Sequence, residues 1–134
     1  MTVLALVVGA TGAIRYWAQR RSLWEDEVIA ITHAFLPLPG FFVEVLRNDV
    51  HPFLYFLFLK AWSAFSFGSD RWVLASSLAC AFASLLTLSW VAYRVHGVRA
   101  ALWCAAIFAV LPNFAWAAGN LRMYAAIPAL TAAT

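Results

Sequence analysis

From Trp72 to Tyr93, and again from Ala100 to Leu121, the chain carries no charged side chain. About 20 apolar residues in helical form cross the ~30 Å hydrocarbon layer of a bilayer. Two such runs in a chain of 134 residues leave little room for a water-soluble core. Composition points the same way, with 65% hydrophobic and 11% charged residues. Soluble domains average about 45–50% apolar and about 25% charged. Too few polar side chains remain to cover a soluble ball of this size, and the same figures exclude disorder. The expected class is an integral membrane protein.

The expected fold is all-α and polytopic: about three transmembrane helices plus a large outer loop with short surface helices. Residues 1–19 form the first span, with Arg15 and Trp17 at the interface. Residues 20–71 form the outer loop. Within it Pro37, Pro39 and Gly40 interrupt an apolar stretch, so two short helices broken near 37–40 are expected. Residues 48–52 read as a turn. Residues 53–67 admit two readings. Lys60, Ser63 and Ser66 make a narrow polar stripe, which suits a helix lying in the membrane surface. A span of about 16 residues at the short limit is the other reading; the surface helix is favoured. Residues 72–94 and 100–118 are the second and third spans, with Pro112 and Asn113 as a kink, and 124–134 starts a further helix.

Arg94-Val95-His96-Gly97-Val98-Arg99 is a basic turn, which the positive-inside rule puts in the cytoplasm. The loop 20–71 and Arg122 then share the outer face. Arg15, Arg20 and Arg21 also fall on that side, where they need the acids or a lipid phosphate as partners.

The nine cations form no cluster or stripe, so nucleic acid is not an expected partner. Cys80 and Cys104 stand in apolar runs without CxxC spacing and read as small hydrophobes. No cleavable signal peptide is evident. The densest charge is Glu25-Asp26-Glu27. Carboxylates at a membrane surface serve as general base or metal ligand. The same triplet also reads as a hydrated loop balanced by Arg20 and Arg21. Asp49 and His51 offer a second carboxylate and an imidazole, or simply turn chemistry. His33 reads as packed or interfacial, and His96 as solvated. Arg122 suits a phosphate oxygen, or is a snorkelling arginine beside Tyr124. No nucleotide, zinc-protease or nucleophile-elbow motif is present.

Several of these residues resemble a family pattern. Ser22-Leu23-Trp24-Glu25-Asp26-Glu27 is similar to the S-L-W-x-D-E after the first span of GT-C glycosyltransferases, nearest to glycosyltransferase family 39. This is the protein-mannosyltransferase and aminoarabinose-transferase type. His51-Pro52-Phe53-Leu54-Tyr55 resembles its H-P-P-L-Y, which opens a helix ending in F-G, here Phe67-Gly68. Tyr93 to Leu102 resembles its R-x-x-G-x-R-x-A-L turn. Leu111-Pro112 and Leu121-Arg122-Met123-Tyr124-Ala125 resemble its L-P and A-R-M-Y-A. Phe53 replaces the second proline, Tyr124 stands where some members carry an aspartate, and the arginine early in the second span has no clear counterpart.

The resemblance implies an N-terminal portion of an inverting sugar transferase that uses a polyprenyl-phosphate sugar. Asp26 would be the catalytic base and Glu27 its support. Arg122, His51, Tyr124 and Glu25 would contact substrate. No cofactor is implied, and a divalent metal stays open. The expected partners are the lipid-linked donor, a glycan, lipid or protein acceptor, and membrane lipid. The expected location is a bacterial plasma membrane, with the site facing outward. The competing expectation is a non-enzymatic small membrane scaffold or part of a transporter.

Overall fold

The computed structural model describes residues 2–19, 22–48 and 52–121. Among the described residues the protein is all-helical. The helices are α1 (Thr2–Gln19), α2 (Glu25–Phe35), α3 (Leu38–Asn48), α4 (Phe53–Ser63), α5 (Asp70–His96), α6 (Val98–Val110) and α7 (Pro112–Gly119). They form two compact units, residues 22–76 and residues 1–21 with 77–134.

In the first unit, the stretch expected as an outer loop is three short helices and the opening turns of α5. Proline sets the joints. Leu36 precedes Pro37 and is held extended, at φ −56° and ψ 144°, so α2 stops there. The break therefore falls at 36–37, not across 37–40. Pro39 and Gly40 lie inside α3. A proline in a helix's first turn loses no hydrogen bond, because those N–H groups have no partner within the helix. α4 starts directly after Pro52 and runs 11 residues, about 16 Å at 1.5 Å per residue. That is half a bilayer's hydrocarbon thickness.

The core of this unit joins Ala30, Ile31 and Ala34 of α2 to Phe41 and Val45 of α3 and Phe56 and Leu59 of α4. Lys60 and Ser63, the two residues of the polar stripe that lie in α4, face this core. Lys60 Nζ donates to the carbonyls of Ala34, at 3.0 Å, and Leu36. Ser63 Oγ donates to Ala34 O at 2.9 Å. These are end carbonyls of α2, which have no partner within the helix. The Lys60 ammonium also lies 5.7 Å from the centre of the Phe41 ring. The outward face of α4 is apolar, with Leu54, Leu57 and Phe58 exposed. Two tryptophans tie α4 to α5. Trp62 Nε1 donates to Trp72 O at 2.8 Å and Trp72 Nε1 to Trp62 O at 3.2 Å, with the rings stacked 5.5 Å apart.

In the second unit α1 packs on α6 and α7. Small residues let the backbones meet: a Cβ at Gly9 would stand 2.1 Å from Ala109 O. Ala13, Ala81, Leu85, Ala105, Ala109, Phe114 and Ala118 make the core. Phe82 and Phe108 each meet Phe114 edge-on, at 5.6 Å between ring centres. Gly97, at φ 83°, is the whole link between α5 and α6.

The stretch expected as one kinked span, 100–118, is two helices bent by 64° at Leu111. Leu111 is extended ahead of Pro112, which opens α7. Among the described residues α5 alone is long and apolar enough to cross a membrane by length and composition, and α6 with α7 passes only as a bent pair. Of the most apolar 18-residue window of α5, 33% is buried.

Candidate functional site

The acidic triplet opens α2. Trp24 is extended, at φ −79° and ψ 156°, and its backbone N–H donates to Glu27 Oε2 at 2.9 Å. The Glu27 and Val28 N–H groups return to Trp24 O at 2.9 and 3.0 Å. Tryptophan has no side-chain acceptor for a helix N-terminus, so Glu27 supplies the reciprocal half of a capping box alone. Glu27 is 0% exposed, whereas Glu25 and Asp26 are exposed.

Successive residues on a helix point about 100° apart, so the three carboxylates fan outward instead of crowding. All three sit in the first turn, where the helix dipole favours negative charge by about 0.3–1 kcal/mol each. Chemically the triplet therefore splits. Glu27 is committed to the backbone. Asp26 presents a carboxylate to the surroundings from a pinned helix end, and Glu25 does so beside it.

A groove of about 480 Å³ runs along the same helix. Leu23, Val28, Ile31, Thr32, Phe35, Leu36, Pro37 and Asp70 line it. Thr32 Oγ1 is turned to its own helix, donating to Val28 O at 2.7 Å. Asp70 is the charged group of the lining. Its size fits small-molecule pockets, which run about 300–1,000 Å³. Sequence reasoning missed it. The spacing of Val28, Ile31 and Phe35 is a readable stripe, but nothing local brings Asp70 to it.

His51, Arg122 and Tyr124, expected to contact substrate, lie outside the described residues, as do Arg20, Arg21 and Asp49. His33 is partly buried and meets the Phe56 ring edge-on at 5.5 Å. His96 is exposed. Among the described residues no three or more His, Cys, Asp or Glu side chains gather as a metal site requires. The chain matches no protein-family model, no curated protein and no solved structure.

Proposed function

We propose that the chain is the N-terminal portion of a polytopic membrane glycosyltransferase of the GT-C family 39 type. It would act at the outer face of a bacterial plasma membrane on a polyprenyl-phosphate sugar. The observation that carries this reading is the division of labour in Trp24-Glu25-Asp26-Glu27. Glu27 is buried as the cap, and Asp26 stands exposed beside it on the helix end that the cap holds. A general base needs that combination of access and fixed position. Membrane residence draws support from α5 and from the inverted polarity of α4.

In this mechanism Asp26 takes the proton of an acceptor hydroxyl as its oxygen attacks the anomeric carbon. The bond from that carbon to the phosphate oxygen breaks, and polyprenyl phosphate leaves. By the resemblance, Arg122 would offset the charge on the leaving phosphate, and His51 and Tyr124 would contact substrate. Glu27 is a positioning residue. Glu25 meets the acceptor at the rim. The carboxylate of Asp70 makes the groove a poor host for phosphate, so the groove suits the apolar part of a neutral or cationic acceptor.

The test is Asp26→Asn in the full-length parent enzyme. Loss of a general base lowers turnover roughly 10²–10⁴-fold, with membrane insertion unchanged. Glu25→Gln is expected to cost much less. Undiminished sugar transfer by Asp26→Asn would reject the role assigned to Asp26, whereas no sugar transfer by the unaltered parent would favour a non-enzymatic scaffold.

A further inference from the structure

All six acidic residues of the chain lie between Glu25 and Asp70, so the unit made of residues 1–21 and 77–134 contains cations and no acid. In that unit, the junction of α5 and α6 gathers Arg94, His96 and Arg99 around the single residue Gly97. All three basic side chains are exposed. Trp90 and Trp103 are 56% and 59% exposed, although both are large enough to anchor a core. They stand about two turns before and after Gly97, roughly 10 Å along each helix. The Arg94 guanidinium sits 5.4 Å from the centre of the Trp90 ring. Val95, Val98 and Leu102, which lie between the two tryptophans in sequence, are exposed as well.

Cations at a helix turn, with indoles one step inside, form a ladder from charge to apolar contact. A phospholipid carries the same ladder, from headgroup to glycerol to acyl chain. Tryptophan prefers that interfacial level, and arginine binds phosphate oxygens with a planar fork. Without a carboxylate in the unit, nothing of opposite charge within it competes for these cations. We propose that the α5–α6 turn is a binding site for anionic phospholipid headgroups, with Arg94, His96 and Arg99 on the phosphate and Trp90 and Trp103 against the upper acyl chain. The site shares no residue with the acidic start of α2 and does not depend on any catalytic activity.

The experiment follows the thermal unfolding of the full chain in a neutral detergent as lipid is added. Phosphatidylglycerol, phosphatidylcholine and inorganic phosphate are titrated in parallel. Ligands that bind only the folded state raise its melting temperature by an amount that grows with the logarithm of ligand concentration over Kd. The expected result is stabilisation by phosphatidylglycerol that weakens with salt, little by phosphatidylcholine, and none by inorganic phosphate. Each basic side chain near an anionic surface contributes about fivefold in affinity, so R94Q/R99Q should raise the half-saturating phosphatidylglycerol concentration about thirtyfold. R94K/R99K should retain most of the binding, and W90L/W103L should lose part of it at unchanged salt dependence. Equal stabilisation of the unaltered chain by both lipids would overturn the proposal, and so would a full effect from inorganic phosphate. Either result stands even if a variant fails to fold.

Discussion

Glu27 and Asp26 are adjacent and chemically alike, yet they should fail differently. Glu27→Ala removes the acceptor for the Trp24 N–H and leaves a void where a buried side chain stood. A lost cap or an unsatisfied buried donor costs about 1–3 kcal/mol. Asp26→Asn keeps an exposed side chain of the same size and gives up the negative charge that the helix dipole favours by about 0.3–1 kcal/mol, so its loss should be the smaller. Chemical denaturation of both variants checks the order, and equal losses would contradict the assignment of Glu27 as the cap. Arg122 belongs to the proposal for the leaving phosphate. There Arg122→Lys should keep partial function and Arg122→Ala should weaken donor binding about tenfold to over a hundredfold, as expected for a charged hydrogen bond. Titrating the parent enzyme with lipid-linked sugar distinguishes this from a snorkelling anchor, for which donor affinity is unchanged. Phe67 is fully exposed and holds a left-handed backbone at φ 50°. In the detergent-solubilised chain Phe67→Gly should therefore gain about 1 kcal/mol, because glycine accepts that conformation without a Cβ penalty. A loss of stability would mean that the ring is seated against an apolar neighbour.

The short helices around Pro37 depend on one another for their ends. α2 finishes at a proline joint with its last carbonyls turned to α4, and Lys60 and Ser63 supply the donors. Lys60→Met keeps the stem and removes the ammonium, leaving those carbonyls short of a partner. The expected cost is about 1–3 kcal/mol. Ser63→Ala should cost about 1 kcal/mol. Both side chains donate to Ala34 O, so the double variant should depart from the sum of the two by at least 0.5 kcal/mol. Additive losses in denaturant titrations would mean that the two donors act separately. Hydropathy periodicity in 53–67 revealed the stripe but not its direction. In water a polar stripe faces solvent. Here the core side of α4 meets carbonyls that need donors, and its apolar side carries Leu54, Leu57 and Phe58 outward. The pattern is the same in both cases, and its sense depends on what surrounds the helix.

Close backbone contact, not bulky side chains, holds α1 to α6. A methyl group at residue 9 would overlap Ala109 O, and Ala109 is backbone that a rotamer change cannot move. Gly9→Ala should therefore destabilise the unit by about 1–3 kcal/mol and Gly9→Val by more, the penalty typical of overpacking. Gly12, with nothing near its missing Cβ, should accept alanine with no loss. Thermal unfolding of the two alanine variants tests the pair, and equal behaviour would exclude a close crossing at Gly9. Much exposed apolar surface remains on both units, including Leu46, Leu54, Leu86 and Ile107.

Composition and local chemistry were enough for the helical class, the long charge-free helix and most of the joints. Charge-free runs, prolines and a glycine act within a few residues of themselves, so α5 and the turn at Gly97 are readable from neighbours alone, and the joints at Leu36 and Leu111 are readable to within a few residues from Pro37 and Pro112. Contacts between distant segments were not readable. The severity of the bend at Leu111, the inward turn of Lys60, the clasp of Trp62 and Trp72, and the arrival of Asp70 at the groove beside α2 each join residues that no local pattern links. The candidate site shows the same division. The triplet at 25–27 was legible as dense charge, expected as a site or a hydrated loop; that it is the first turn of α2, with Glu27 buried as cap and Asp26 exposed, depends on how α2 packs. Local sequence sets backbone geometry through sterics and hydrogen bonding over one turn. Burial is set by whichever segment comes to lie opposite, and that is a property of the packed chain.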